Sequence, residues 1–215
     1  MEIDGASANR RPLKSRGTGW AAAAARAALA SGVSADGVSI LGIVVSFGGA
    51  AALVLAFASP FHFLIAAAAV QLRLLCNMLD GMVAVEGGRK SVHGPIYNEM
   101  PDRLEDSILL VAAGYAAGPQ LGLVLGLTAA LLAAICAYVR LLGGTLGQPQ
   151  DFSGPQAKPH RMFVLTLGLL AAFVASLARI DPGPWLLLTL SVISIGTFLT
   201  IARRTLRLAG RLEGE

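Results

Sequence analysis

The chain has 215 residues, 55% of them hydrophobic and 14% charged, with a mean hydropathy of +0.67 and a formal charge of +4. A water-soluble fold cannot conceal that much apolar surface, so the composition specifies an integral membrane protein. The basic residues sit in short segments between apolar runs without interleaved aromatics, which excludes a nucleic-acid interface, and Cys76 and Cys136, both within apolar runs, offer no disulfide framework.

Residues 1–16 carry Arg10, Arg11, Lys14 and Arg16 and lead into an alanine-rich segment from Trp20 to Ala30, interrupted by Arg26. The basic start and Ala28-Leu29-Ala30 imitate a signal peptide, but the alanine-rich middle makes a weak apolar region. The segment reads instead as an amphipathic helix lying in the membrane interface, anchored by Trp20 and by basic residues near anionic headgroups. Ser31 to Ser39, with Gly32 and Gly37, forms a turn before a first span at 38–58, which Pro60 closes.

A second apolar run begins near Phe63 and passes Asp80, with Arg73 inside it. The polar stretch Glu86 to Arg103 follows, then an uncharged stretch, Ser107 to Val139, too long for one span. Gly118-Pro119-Gln120 divides it, giving a third helix from Pro101, a favourable first-turn residue, and a fourth at 120–142. Beyond the polar loop Gly143 to Arg161 come a fifth span at 162–177, a turn from Arg179 to Pro184, and a sixth span at 185–201.

The expected fold is therefore an all-α integral membrane protein with six transmembrane helices preceded by an N-terminal amphipathic interfacial helix. Its organisation is a cytoplasmic N-terminus and interfacial helix (1–32), a six-helix membrane domain (33–203) and a cytoplasmic tail (204–215), with no internal repeat and no soluble second domain. Arg89, Lys90 and Arg103, then Arg140, Lys158 and Arg161, then Arg203, Arg204, Arg207 and Arg211 fall on the same face as the basic N-terminus, and only Arg179 lies opposite. The positive-inside rule then puts both termini and the stretch between spans two and three in the cytoplasm, for a multi-pass protein of the inner (plasma) membrane.

Acidic residues gather only from Arg73 to Asp106. On a helix Arg73, Asn77, Asp80 and Ala84 are four, three and four residues apart and share a face, while Asn98, Asp102, Glu105 and Asp106 follow at four, three and one. Two helices facing each other across these oxygens would repel without a cation, and a hard divalent ion such as Mg²⁺ or Mn²⁺ is the natural candidate. The competing account is structural: acids near a helix N-terminus favour its dipole, and Arg73 or Arg103 would pair with Asp102 or Asp106.

The motif Asn77-x2-Asp80-Gly81-x2-Ala84-Val85-x8-Gly94-x3-Asn98-x3-Asp102 resembles the signature of the CDP-alcohol phosphatidyltransferases, D-x2-D-G-x2-A-R-x8-G-x3-D-x3-D. Five of its eight fixed positions agree and every spacing agrees. The resemblance implies a six-span membrane enzyme that moves a phosphatidyl group from CDP-diacylglycerol to a small, optionally phosphorylated alcohol and releases CMP, using one or two Mg²⁺ or Mn²⁺ ions. It implies metal ligands at Asn77, Asp80, Asn98 and Asp102, with Asp102 as the catalytic base, and a nucleotide pocket lined by Gly81, Ala84 and Gly94. Asp36, in the turn before the first span, is loosely similar to the family's CDP-contacting turn, and Lys158 and Arg161 are candidates for an anionic acceptor.

The resemblance also implies a homodimer among membrane lipids. Gly122 and Gly126 form a G-x3-G pair suited to close helix contact within a subunit or between two. Asn77 and Asn98 in place of aspartates remove two negative charges, and Val85 in place of arginine removes a phosphate partner. Glu86 and Glu99, each beside a substituted position, are the candidate replacement carboxylates. A catalytically impaired relative that binds lipid or nucleotide without transfer is the alternative; a cation transporter is a more distant third.

Overall fold

A computed structural model describes residues 18–86 and 94–214, without the side chains of residues 85, 86, 94, 95 and 98. Among the described residues the chain forms helices α1 (Gly19–Ala30), α2 (Ala35–Val54), α3 (Phe61–Glu86), α4 (Gly94–Ala117), α5 (Leu121–Thr145), α6 (Lys158–Leu177) and α7 (Gly183–Glu213). Five of them, all except α1 and α4, are long and apolar enough to cross a membrane. Between 39% and 44% of each spanning window is buried, so more than half faces outward, where Phe47, Leu131, Val174, Ile195 and Phe198 are exposed. That surface requires a lipid environment.

Helix α4 falls short because Glu99, Asp102, Arg103, Glu105 and Asp106 crowd its N-terminal and middle turns. Its position compensates: it packs against α2, α3, α5 and α7, which buries Glu105 and Asp106 and leaves Glu99, Asp102 and Arg103 partly exposed in ion pairs. Leu109 and Leu110 in its second half join Leu53, Phe63, Val70, Met162, Leu165, Leu186 and Leu190 in one apolar core. Against α5 the approach is close enough to need glycine: a Cβ on Gly126 would lie 2.7 Å from the Leu110 carbonyl oxygen and 2.9 Å from the Gly114 Cα. The G-x3-G pair is thus used within the chain, with Gly114 as its partner.

Two boundaries differ from the sequence expectation. Helix α4 starts at Gly94, so Pro95 rather than Pro101 takes the first turn, where a missing N–H is harmless, and Pro101 is a buried interior residue. Helix α7 runs on to Glu213 through the residues expected to form the tail. The cause is Arg204, buried at 5% exposure, which donates to the Ser153 carbonyl (2.9 Å) and the Cys136 carbonyl (3.0 Å) and so fixes the helix end against α5 and the 146–157 loop.

Helix α1 lays Ala21 and Ala25 on Met78 and Met82 of α3, while Trp20 stays 56% exposed. Ser34 caps α2, its hydroxyl accepting from the Gly37 N–H at 3.0 Å.

Candidate active site

Helical periodicity places Arg73, Asn77 and Asp80 on the side of α3 that meets Asp102, Glu105 and Asp106 of α4. In the deeper layer Arg73 donates through Nη1 to Glu105 Oε2 (2.9 Å) and through Nη2 to Asp106 Oδ1 (2.5 Å). Arg161, from α6, donates to Asp106 Oδ2 (2.8 Å) and to the Gln156 carbonyl (3.0 Å). Arg73 and Glu105 are completely buried, and Arg161 and Asp106 nearly so. Isolated charges at such depth would cost several kcal/mol each, and the pairing offsets that penalty.

The shallower layer is built on Asn77, whose Nδ2 donates to Asp102 Oδ1 (2.7 Å) and Glu105 Oε2 (3.0 Å). Both acceptors are carboxylates, so the amide nitrogen must face them and the amide oxygen lies on the other side. Lys158, the first residue of α6, ion-pairs with Asp102. Asp80 accepts from the Ser39 hydroxyl of α2 at 2.7 Å through Oδ2, while its Oδ1 is buried without a hydrogen-bond partner. Four carboxylates therefore face three cationic groups, and among the described residues Asp80 is the member of this cluster with no ion pair.

The remaining sequence candidates are placed unevenly. Gly81 and Ala84 continue α3 and are half-buried, Asp36 is half-buried in the first turn of α2, and Gly94 opens α4. The side chains of Asn98, Val85 and Glu86 lie outside the described residues, as do Arg89, Lys90 and His93. Glu99 ion-pairs with Arg103 and with Arg140 (2.5 Å), so its carboxylate is committed to cations of the protein instead of replacing the one missing at position 98. Arg140 also donates to Gln150 and lies 5.2 Å over the Phe152 ring. In the same loop, burial works against the Asp151 carboxylate, yet hydrogen bonds from Ser153 and the Arg207 guanidinium hold it below the usual carboxylate range.

Ser39 and the Arg73–Glu105 contact were not singled out from sequence. Glu105 carried a signal, since it lies three residues after Asp102 on one helical face.

Among the described residues no three His, Cys, Asp or Glu side chains converge into a metal site by themselves. The hard-oxygen donors the cluster offers are Asp80, whose buried Oδ1 has no hydrogen-bond partner, Asp102, and the Asn77 amide oxygen, which is turned away from Asp102 and Glu105. That set fits one hard divalent cation whose other positions are filled by water or phosphate oxygen.

No protein-family model and no curated protein sequence matches the chain. Solved structures do. Phosphatidylinositol phosphate synthase of Mycobacterium tuberculosis with CDP-DAG bound superposes with a TM-score of 0.69 at 20% identity, over 87% of this chain and 92% of that one. The same synthase in complex with manganese and citrate gives 0.71 at 22% identity, over 87% and 88%. This chain has the synthase fold. Within that fold α2 supplies the Ser39 hydroxyl that donates to Asp80, and α3 supplies the Asn77 amide nitrogen that donates to Asp102.

Proposed function

We propose that the chain is a phospholipid-synthesising transferase of the CDP-alcohol phosphatidyltransferase type, moving a phosphatidyl group from CDP-diacylglycerol to a small alcohol with release of CMP. The observation that carries this reading is Asp80: its buried, unpartnered Oδ1 and its lack of an ion pair stand at the motif position where the signature has a metal ligand. The shared fold with a synthase solved with CDP-DAG, and with manganese, supports it.

In this reading Asp80, Asp102 and the Asn77 amide oxygen hold one Mg²⁺ or Mn²⁺, with Asn98 as a further oxygen donor. The bound cation neutralises pyrophosphate charge and polarises the attacked phosphorus. Gly81, Ala84 and Gly94 leave backbone open to the nucleotide, and Asp36 borders it from α2. Asp102 accepts the proton of the acceptor hydroxyl once Lys158 has withdrawn from it, and Lys158 then meets the acceptor's anionic group. Arg161, ion-paired with Asp106, supports the acceptor side from below.

The topology we infer counts α4 as a third span, its charged half shielded by its neighbours, which gives six spans after an interfacial α1. Both termini and the site then face the cytoplasm of the inner membrane, in a homodimer surrounded by lipid. The alternative, binding without transfer, draws its support from the Lys158–Asp102 pair, which occupies the catalytic base.

The test is metal-dependent CMP release from CDP-diacylglycerol in vesicles, against glycerol phosphate, inositol phosphate, inositol, serine and glycerol. Release that requires Mn²⁺ or Mg²⁺, one acceptor and Asp80 supports the transferase; CDP-diacylglycerol binding without release with any acceptor establishes the alternative.

A further inference from the structure

The exchange of a carboxylate for an amide at position 77 has a counterpart across the helix interface. Asn77 Nδ2 donates to Glu105 Oε2 at 3.0 Å, and the same oxygen accepts from Arg73 Nη1 at 2.9 Å. Glu105 is completely buried and belongs to α4, outside the signature. It also fills space that only a glycine on α2 leaves open, since a Cβ on Gly42 would collide with the Glu105 carboxylate. A carboxylate at position 77 would have no proton to donate and would stand against both Asp102 and Glu105, at the distances where like charges repel strongly.

We propose that Glu105 is a positioning residue for the cation site: held by Arg73, it supplies on α4 the carboxylate that position 77 lacks, and it fixes the Asn77 amide with nitrogen inward and oxygen toward the ligand. The departure at 77 is then a relocation of charge across the interface. Asn77 and Glu105 form a matched pair, so neither is tolerant of change alone, while exchanging their chemistry keeps one carboxylate and one amide in contact and leaves only the contact with Asp102 unrelieved. With the two exchanged, a glutamine amide on α4 donates to an aspartate on α3, the reverse of the wild-type bond. This inference rests on the cation-site reading above only for the orientation of the amide oxygen; the matching of the pair stands on the contacts themselves.

The experiment is a double-mutant cycle on the full chain in detergent: wild type, Asn77→Asp, Glu105→Gln and the exchanged Asn77→Asp/Glu105→Gln, each measured for melting temperature and for Mn²⁺ affinity by electron paramagnetic resonance. Each single variant is expected to melt lower by roughly 5–10 °C, and the exchanged variant to regain at least half of that loss. Glu105→Gln, free to turn the amide, is expected to bind Mn²⁺ about tenfold more weakly, with affinity recovered in the exchanged variant.

Additive losses of melting temperature overturn the pairing. Coupled losses with unchanged Mn²⁺ affinity in Glu105→Gln overturn the positioning role. If Glu105→Gln alone does not fold, folded protein from the exchanged variant is the supporting result and its failure to fold is the overturning one. A wild-type protein that binds no Mn²⁺ sinks the cation-site reading and the positioning role together, and the melting cycle still decides whether the pair is matched.

Discussion

Lys158, which opens α6, and Asp102 of α4 are ion-paired at the exposed edge of a network whose interior is Arg73, Glu105 and Asp106. In the proposed reading Asp102 has two duties that conflict, as partner of a lysine and as ligand or base. Removing the ammonium frees the carboxylate. Lys158→Met is expected to tighten Mn²⁺ binding by about tenfold, the effect of deleting a nearby like charge in a partly screened site. It should also abolish saturation by a phosphorylated acceptor if that acceptor is used. Titration of Mn²⁺ into both proteins checks the first outcome, and acceptor dependence of CMP release the second.

Ser39 is the α2 side chain that holds Asp80, through a 2.7 Å hydrogen bond in a buried setting. Ser39→Ala leaves Asp80 Oδ2 without that donor. The expected loss is about 1–2 kcal/mol of stability, read by denaturation in detergent, together with weaker Mn²⁺ binding because the carboxylate loses its fixed orientation.

The α4–α5 contact permits a controlled comparison of two glycines. A Cβ at Gly126 meets the Leu110 carbonyl oxygen at 2.7 Å, whereas a Cβ at Gly48 meets nothing within 4 Å. Gly126→Ala should destabilise by about 1–3 kcal/mol through overpacking. Gly48→Ala should be neutral or stabilise by up to about 1 kcal/mol, because alanine is the better helix former. Melting temperatures of the two variants against wild type check the contrast.

Arg179 has φ of 60°, the left-handed conformation in which α6 terminates. A residue with a Cβ costs about 1–2 kcal/mol there, so Arg179→Gly is expected to raise stability by a fraction of that amount. The gain should appear as a higher melting temperature with Mn²⁺ affinity unchanged, since the turn is remote in sequence from the acidic cluster.

The spanning helices were legible because uncharged runs of the right length are themselves the physical requirement for crossing hydrocarbon. Asn77, Asp80 and Asp102 were legible from helical spacing, which places them on facing stripes before any contact is known. The Arg73–Glu105 pair was not, because spacing fixes a face and not which side chain on the opposite helix meets it. Glu99 was a candidate carboxylate by adjacency, yet Arg103 one turn on and Arg140 on α5 are nearer claimants for its charge. The helical continuation of α7 past the sixth span was not legible from hydropathy, because those residues are rich in arginine. Its pattern was nonetheless helical: Arg204, Arg207 and Arg211, three and four residues apart, all reach the 146–157 loop, through Ser153, Asp151 and the Pro149 carbonyl.

That row of arginines gives α7 a mechanical character. At 31 residues the helix is about 46 Å long, against a hydrocarbon core of about 30 Å, so several turns stand clear of the apolar layer. The loop that delivers Lys158 is riveted to this projecting shaft. Those contacts tie the 146–157 loop, and with it the start of α6 at Lys158, to the projecting end of α7.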